Sequence, residues 1–352
     1  MIISRTPFRV SFFGGGTDYP VWYREHGGAV LATTINKYCY ITCRWLPPFF
    51  EHKSRIAYST VETVASNSQI AHPAARGVLQ FLQIEEGVEI HHDGDLPART
   101  GLGSSSAFTV GLLHALYGLK GLMPSKLQLA REAIHVEQEL LKEHVGSQDQ
   151  VMAAFGGLNH VTFFNHDAFE VSPVIVAEER LALLQAHLML LFTGLSRNAS
   201  DIAAEQIQAT RRKTKELARM QEMVGQAMEI LKGTEDLCAF GQLLHEAWQL
   251  KRSLTDSIST SQIDDMYEAA HRSGAIGGKL LGAGGGGFLL LFVRPEEQAQ
   301  VRESLGGLLH VPFRFERFGS RVIFYEPEVI PTSPPREARL MSVAATRTSP
   351  HG

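Results

Sequence analysis

The segment that most constrains this chain is Pro97-Ala98-Arg99-Thr100-Gly101-Leu102-Gly103-Ser104-Ser105-Ser106-Ala107, a glycine turn that runs straight into an apolar helix. Glycine lets a backbone approach a ligand closely and turn its N–H groups inward. A helix that starts at once adds free N–H donors and the positive end of its macrodipole. Together these favour a bound phosphate, and the serines add hydroxyls that can bond phosphate oxygen or sit on a magnesium ion. The helix expected over 104–117 carries Ala107, Phe108, Val110, Leu112, Leu113 and Leu116 nearly all round, which places it between two layers. Taken alone, a glycine turn with a serine N-cap reads the same way, so the rest of the chain has to decide.

Two better-known phosphate loops are excluded. No Gly-x4-Gly-Lys-Ser/Thr string occurs, and a dinucleotide fingerprint needs a glycine where Ser106 stands. A second cluster, Lys279-Leu280-Leu281-Gly282-Ala283-Gly284-Gly285-Gly286-Gly287-Phe288, does satisfy Gly-x-Gly-x-x-Gly. That fingerprint must open a helix, whereas Phe288 to Val293 reads as a plain strand. The cluster is therefore a backbone wall against a ligand or another loop, or a tight bend between packed elements. A third cluster, Arg9-Val10-Ser11-Phe12-Phe13-Gly14-Gly15-Gly16-Thr17-Asp18, follows a strand with a glycine turn and an acid. A fourth segment, Val145-Gly146-Ser147-Gln148-Asp149-Gln150, puts an acid just before the apolar run Val151 to Ala154. Each acid or base in these segments has a plain alternative, as an edge charge, a turn residue or an N-cap.

Strand and helix patterns interleave without a regular βαβ rhythm. Strands are expected over 1–13, 29–46, 88–90, 187–192, 288–293 and 322–325, and helices over 70–84, 104–117, 125–142, 200–232, 237–252 and 262–273. This is an α+β pattern rather than a doubly wound sheet. At ~150 residues per domain, 352 residues make about two domains. The expected division is 1–180, 181–325 and a flexible tail over 326–352 rich in Pro, Ser, Thr and Ala.

The net charge of −4 offers no basic excess to attract nucleic acid or an anionic membrane. Three cysteines, Cys39, Cys43 and Cys238, are too few and odd in number for a disulfide framework. The N-terminus has Arg5 and Arg9 inside its apolar stretch and so lacks a signal-peptide core. Gly101 to Leu119 is the longest charge-free apolar stretch, and its serines and histidine fit a buried helix better than a membrane span. A cytoplasmic protein is the expectation. His91-His92-Asp93 is better explained by a strand end before a turn than by a metal site.

Taken together, the four segments resemble the GHMP kinases, the family of galactokinase, homoserine kinase, mevalonate kinase and phosphomevalonate kinase. The motifs appear here in that family's order and span roughly residues 5–293. Within the family, Phe8 to Asp18, Gly146 to Gln150 and Lys279 to Phe288 look most similar to the kinases of D-glycero-D-manno-heptose 7-phosphate. Galactokinase- and fucokinase-type enzymes are near neighbours. The resemblance implies a two-domain α+β fold, with a ribosomal S5 domain 2-like N-terminal domain and a ferredoxin-like C-terminal domain. It implies ATP and Mg²⁺, a sugar phosphate as acceptor, and no nucleic-acid or membrane partner. It leaves monomer or homo-oligomer open. The rival readings are a nucleotide-dependent oxidoreductase built on Gly282 to Gly287, and a sugar sensor without turnover.

Roles follow by resemblance. Pro97, Arg99, Thr100, Gly101, Leu102, Gly103, Ser104, Ser105 and Ser106 would cradle the triphosphate. Ser105 and Glu137 would hold magnesium, with Glu139 as the alternative acid. Asp149 would accept or orient the hydroxyl proton, and Arg9 would hold it ionised and stabilise the transferring phosphoryl. Gly15, Gly16, Thr17, Asp18, Gly284 and Gly285 would line the acceptor site. Galactokinase carries an acid and a histidine where Gly15 and Gly16 stand, so their absence opens room for an extended, phosphorylated sugar. Arg197 is the first candidate to hold that phosphate, ahead of Arg24, Lys37 and Arg99.

Overall fold

The computed structural model describes residues 1–195 and 199–327. In chain order the first part holds β1 (Ile2–Phe13), α1 (Pro20–His26), β2 (Gly28–Trp45), β3 (Ser54–Ala57), β4 (Val61–Val64), α2 (Pro73–Phe81), β5 (Val88–Gly94), α3 (Ser104–Leu119), α4 (Lys126–Ile134), α5 (Gln148–Phe155), β6 (Leu158–Phe163) and β7 (Phe169–Pro173). The second part holds α6 (Glu178–Ala186), β8 (Leu188–Phe192), α7 (Ala199–Ala209), α8 (Thr214–Lys232), α9 (Cys238–Arg252), α10 (Ser261–Arg272), β9 (Ala275–Leu280), β10 (Phe288–Val293), α11 (Gln298–Ser304), β11 (Leu309–His310), β12 (Phe315–Glu316) and β13 (Arg321–Tyr325).

Two sheets result. A nine-stranded sheet has the main order β13-β1-β2-β5-β3-β4, with β6 and β12 also on β2 and β7 on β6. The other runs β11-β8-β10-β9 and is antiparallel. The spine of the large sheet is β2, one strand of 18 residues rather than two. One edge pairs β1 along its length, and the other pairs β6 with its first third and β5 with its last third. In β1, burial alternates from Ile2 to Arg5 and is continuous from Thr6 onward. Since α3 covers one face of β1 from Ile2 onward, the change marks where the opposite face is covered as well. The helix α3 lies close on the sheet, where the Ser4 hydroxyl donates to the Gly111 carbonyl at 2.7 Å and a Cβ on Gly111 would stand 2.8 Å from the Thr6 hydroxyl.

The two sheets meet through aromatic edges. Phe12 and Phe13 on β1 set their rings edge-on to Phe240 of α9, with centroids 5.5 and 5.1 Å apart. Lys279 of β9 donates to the Phe12 carbonyl at 2.9 Å. Both contacts bring the end of β1 and the glycine turn after β9 to one place.

Three expectations need correction. The second unit was expected to run to 325, but β12 and β13 return to the first sheet and pair with β2 and β1. This covers part of the edge that β1 would otherwise leave open. The helix expected over 200–232 breaks at a 3₁₀ turn over Thr210–Arg212, where the Thr210 hydroxyl bonds back to the Gln206 carbonyl at 3.0 Å, a contact that bends helices. The helix expected over 125–142 becomes a π-helical turn at His135–Leu140. Of the tail expected from 326, only Glu326 and Pro327 fall among the described residues. No described helix is long and apolar enough to cross a membrane. Cys39, Cys43 and Cys238 are free and buried.

Candidate active site

The site is built where β1, the turn before α3 and the start of α5 converge. Arg9 is 4 % exposed. Its Nε and Nη2 donate to the two carboxylate oxygens of Asp149, both at 2.7 Å, and its Nη1 donates to the Gly101 carbonyl at 2.6 Å. Its backbone N–H donates to the Leu102 carbonyl at 3.0 Å. One arginine thus fixes both the aspartate and the glycine turn. The Asp149 side chain keeps 24 % exposure, so it is held from inside and open outside. The alternative role of Asp149 as an N-cap does not arise. Ser147 holds the cap position of α5, and Asp149 lies inside the first turn.

The turn before α3 needs its glycines. Gly101 and Gly103 have φ of 85° and 74°, in the left-handed region. A Cβ on Gly103 would stand 3.2 Å from Asp149 Oδ2 and 3.3 Å from Arg9 Cγ. The loop therefore presses its bare backbone against the Arg9–Asp149 pair. The helix it opens has no side-chain cap at Gly103 and no acid in its first turn. Its first N–H groups are left for a ligand, and the macrodipole favours an anion there. Pro97 and Arg99 are exposed, Thr100 is buried with its hydroxyl on the Pro97 carbonyl at 2.7 Å, and Ser104 accepts from the Arg99 N–H at 3.2 Å.

The serine that meets the acid is Ser106. Its hydroxyl donates to Glu137 Oε2 at 2.9 Å, and the Gln150 amide donates to the same oxygen. Ser105, expected at that place, faces solvent. Glu137 is fully buried, while Glu139 is exposed and pairs with Lys142 at 3.2 Å. The π turn places them so, with Leu141 N–H reaching the Val136 carbonyl five residues back at 2.9 Å. Burial pushes the Glu137 carboxyl up to about 7, and its Oε1 makes no hydrogen bond. A buried carboxylate with an unspent oxygen beneath a phosphate-type loop fits a divalent cation. No described cluster of three or more His, Cys, Asp or Glu forms a metal cage. Magnesium typically needs only one or two protein ligands when phosphates supply the others.

The first glycine motif divides in two. Asp18 is buried, accepts from the Gly16 N–H at 2.8 Å and the Gln148 N–H at 3.4 Å, and its carboxyl is pushed up by burial. Thr17, expected at the acceptor, is fully buried, with its hydroxyl on the carbonyls of Gly14 and Ala29 at 2.8 and 2.9 Å. Gly16 is enclosed as well, because its φ is 105° and a Cβ would stand 2.8 Å from Gln206 Nε2. Gly15 has room, since its nearest neighbours would be Ser11 Oγ at 3.6 Å and Gln148 Nε2 at 3.8 Å. Gly284 and Gly285 are buried, and Gly285 N–H donates to the Ile258 carbonyl at 2.9 Å. Arg197 lies outside the described residues. Arg24 is taken up by Asp167 in a bidentate pair of 2.8 and 2.9 Å.

Two residues here escaped sequence reasoning. Lys251 and Lys279 are 6 % and 4 % exposed and sit under the second glycine cluster. Lys251 lies in the last turn of α9, where a lysine is ordinary and gives no signal of its own. The only sequence signal for Lys279 was its place three residues before Gly282.

A phosphate-type loop, an arginine-locked aspartate and a buried acid for a cation define an enzyme of phosphoryl transfer. Comparison with known proteins agrees. Residues 69–157 match the GHMP kinases N terminal domain and residues 227–309 match the GHMP kinases C terminal domain. The chain belongs to the GHMP kinase family and is a phosphotransferase acting on an alcohol group. It is 28 % identical over 315 residues to a D-glycero-alpha-D-manno-heptose 7-phosphate kinase of Campylobacter jejuni, covering 86 % of this chain and 93 % of that protein. The crystal structure of a D-glycero-D-manno-heptose 1-phosphate kinase from Bacteroides thetaiotaomicron superposes with a TM-score of 0.73 at 26 % identity, over 92 % of this chain and 98 % of that one. Galactokinase of Lactococcus lactis shares the fold, with a TM-score of 0.72 at 18 % identity over 91 % and 94 % of the two chains. Both expected domain folds, the S5-like and the ferredoxin-like, hold.

Proposed function

We propose that the protein is a cytoplasmic sugar kinase that moves the γ-phosphate of ATP, with Mg²⁺, to the anomeric hydroxyl of D-glycero-D-manno-heptose 7-phosphate, giving the 1,7-bisphosphate for GDP-heptose and surface glycan synthesis. The observation that carries it is the Arg9–Asp149 pair pressed against Gly103. An acceptor hydroxyl beside Asp149 then lies next to a phosphate seated on the loop. The names of the relatives support the heptose, and the room at Gly15 supports an acceptor extended past C6.

Phosphoryl transfer of this kind is mostly positioning and charge neutralisation. The N–H groups at the start of α3 bind the phosphates. Asp149 orients the acceptor hydroxyl and takes its proton. Each of its oxygens already accepts one N–H of Arg9, so the carboxylate cannot rotate away. Arg9 adds positive charge where negative charge gathers on the transferring group. Asp18 holds ring hydroxyls. Glu137 would hold magnesium together with Ser105 or Ser106, and the ion would supply charge neutralisation on the phosphate oxygens.

The test is a phosphotransfer assay with ATP and Mg²⁺ on heptose 7-phosphate, free heptose, galactose and fucose, with Asp149→Ala alongside. Turnover confined to heptose 7-phosphate, and reduced by about 10²–10⁴-fold in the variant, is the expected result. Turnover on a free hexose instead would keep the kinase and remove the heptose.

A further inference from the structure

The glycine-rich turn over 281–288 is held from below by a lysine. Lys251 reaches out of the last turn of α9, and its Nζ donates to the Leu280 carbonyl at 3.2 Å and to the Gly282 carbonyl. No ion pair reaches it among the described residues. The turn it holds has no slack against the phosphate loop. A Cβ on Gly282 would overlap the Gly101 Cα, a Cβ on Gly101 would overlap the Leu281 carbonyl, and Phe288 N–H donates to the Thr100 carbonyl at 3.2 Å. Gly101 in turn receives Arg9, which holds Asp149. A continuous chain of contacts therefore runs from Lys251 to the carboxylate at the reacting end.

The charges around Lys251 are unbalanced. The groups that act on it are Arg9 from β1, Asp18 from the turn after β1 and Asp149 from α5, with Lys279 from β9 beside it. Three buried bases thus face two acids, one of them Asp149, which is open on its outer side and has both oxygens already occupied by Arg9. A buried cation without a matching anion is costly. An amine has two N–H donors, and both are spent on the two carbonyls. The third N–H of an ammonium has no partner among the described residues.

We propose that Lys251 is the positioning residue of the glycine-rich turn, that through Gly282 and Gly101 it sets the phosphate loop, and that its positive charge is completed by the phosphates of a bound nucleotide. The inference rests on the phosphotransfer reading of this cleft and is independent of which sugar is used. Burial first, and then Arg9, pushes the Lys251 amine down to about 7, with Asp18 and Asp149 pulling the other way. In the free protein the amine is therefore largely neutral at pH 8. Phosphates arriving on the loop favour the ammonium, so binding takes up a proton.

The experiment is calorimetric titration of ADP without metal, at pH 8 in two buffers of different ionisation enthalpy. Every protein (wild type here meaning Lys251 kept) carries Glu137→Gln, because that carboxyl is itself pushed up to about 7 and would otherwise take up protons as well. The wild type is expected to take up a substantial fraction of a proton. Lys251→Met is expected to bind ADP about tenfold more weakly and with no uptake. Lys251→Arg, charged throughout, is expected to bind without uptake and to keep most of the affinity. Hydrogen exchange of the amides over 282–287 is expected to rise in Lys251→Met and to stay near wild type in Lys251→Arg. ADP binding by the wild type with no proton uptake overturns the proposal without any variant at Lys251 being needed. Undiminished uptake in Lys251→Met overturns it too. If the wild type bound no nucleotide at all, the phosphotransfer reading would fall, and this inference with it.

Discussion

The chain carries two glycine loops of similar composition, and they do opposite things. In the loop before α3, Gly101 and Gly103 take left-handed conformations and leave the helix N-terminus uncapped. Its carbonyls are spent inward on Arg9 and Phe288, and the first N–H groups of the helix are left for a ligand. In the turn after β9, the glycines bring backbone onto backbone. Gly282 lies on Gly101, Gly284 on Ile258 and Gly287 on Thr100, and a Cβ at any of them would meet main-chain atoms. The second loop binds the first. Glycine content marks a close approach of backbone in both places, and the packing around it decides whether the partner is a ligand or another loop.

Substitutions separate the two roles. The largest effect on the fold is expected from Gly282→Ala, because the new methyl overlaps Gly101 and the φ of 75° disfavours any side chain. It should cost about 4 kcal/mol, read as a lower urea midpoint, and should reduce activity as the phosphate loop shifts. Gly103→Ala should do the reverse. Its Cβ would meet Asp149 Oδ2 at 3.2 Å and Arg9 Cγ at 3.3 Å, so the loss falls on geometry at the reacting centre. Activity should drop by about 10²-fold, while stability falls by only about 1 kcal/mol. Equal stability losses in the two variants would break the comparison.

A smaller effect tests what lies beneath the first loop. Glu137 ionises near 4.5 in an ordinary setting and near about 7 in this fold, because burial holds the proton on. The stabilisation from that bound proton is complete below 4.5 and is lost as pH rises through about 7. Glu137→Gln removes the titration. In chelator, the variant should therefore gain on the wild type between pH 5 and pH 8, by about 2 kcal/mol. Adding Mg²⁺ with ADP at pH 8 should narrow the gap by stabilising the wild type. Parallel stability curves for the two proteins would mean that the buried carboxyl already has a cationic partner.

Much of this was legible before the fold was known. The resemblance in motif order points to the glycine loop, Arg9, Asp149 and Asp18, because each motif is local and its residues sit at fixed offsets, and on the helix before Asp149 it leaves Glu137 and Glu139 both open. What was missed depends on neighbours distant in sequence. Thr17 reads as an acceptor residue until Ala29 and Gly14 are seen to consume its hydroxyl. The resemblance names Ser105 as the partner of Glu137, and the bond from Ser106 to that acid shows only once the π turn has aimed it. Lys251 meets its two carbonyls about thirty residues further along the chain. The hairpins β3–β4 and β6–β7 escaped because their strands are only four to six residues long, and β4 in particular has no buried residue. The return of β12 and β13 to the first sheet is a matter of which open edge is nearest, and no periodicity reports it.

The smallest expected effect comes from a third kind of glycine. Gly14 and Gly16 have φ of 81° and 105°, whereas Gly15 between them lies outside the left-handed region. A methyl at Gly15 would find only ordinary contacts, at 3.6 Å to Ser11 Oγ and 3.8 Å to Gln148 Nε2. Gly15→Ala should therefore leave stability within about 0.5 kcal/mol of wild type. If Gly15 is there to leave room and charge neutrality for the acceptor, Gly15→Glu should matter only to a phosphorylated one. Like charges brought together in a partly buried site repel, so KM for heptose 7-phosphate should rise by about tenfold. KM for a free heptose should stay within about twofold. An equal rise for both acceptors would make the effect steric, and the glycine would then read the size of the sugar rather than its charge. No rise for either would place the phosphate elsewhere, and Gly15 would join its neighbours as a residue of the turn.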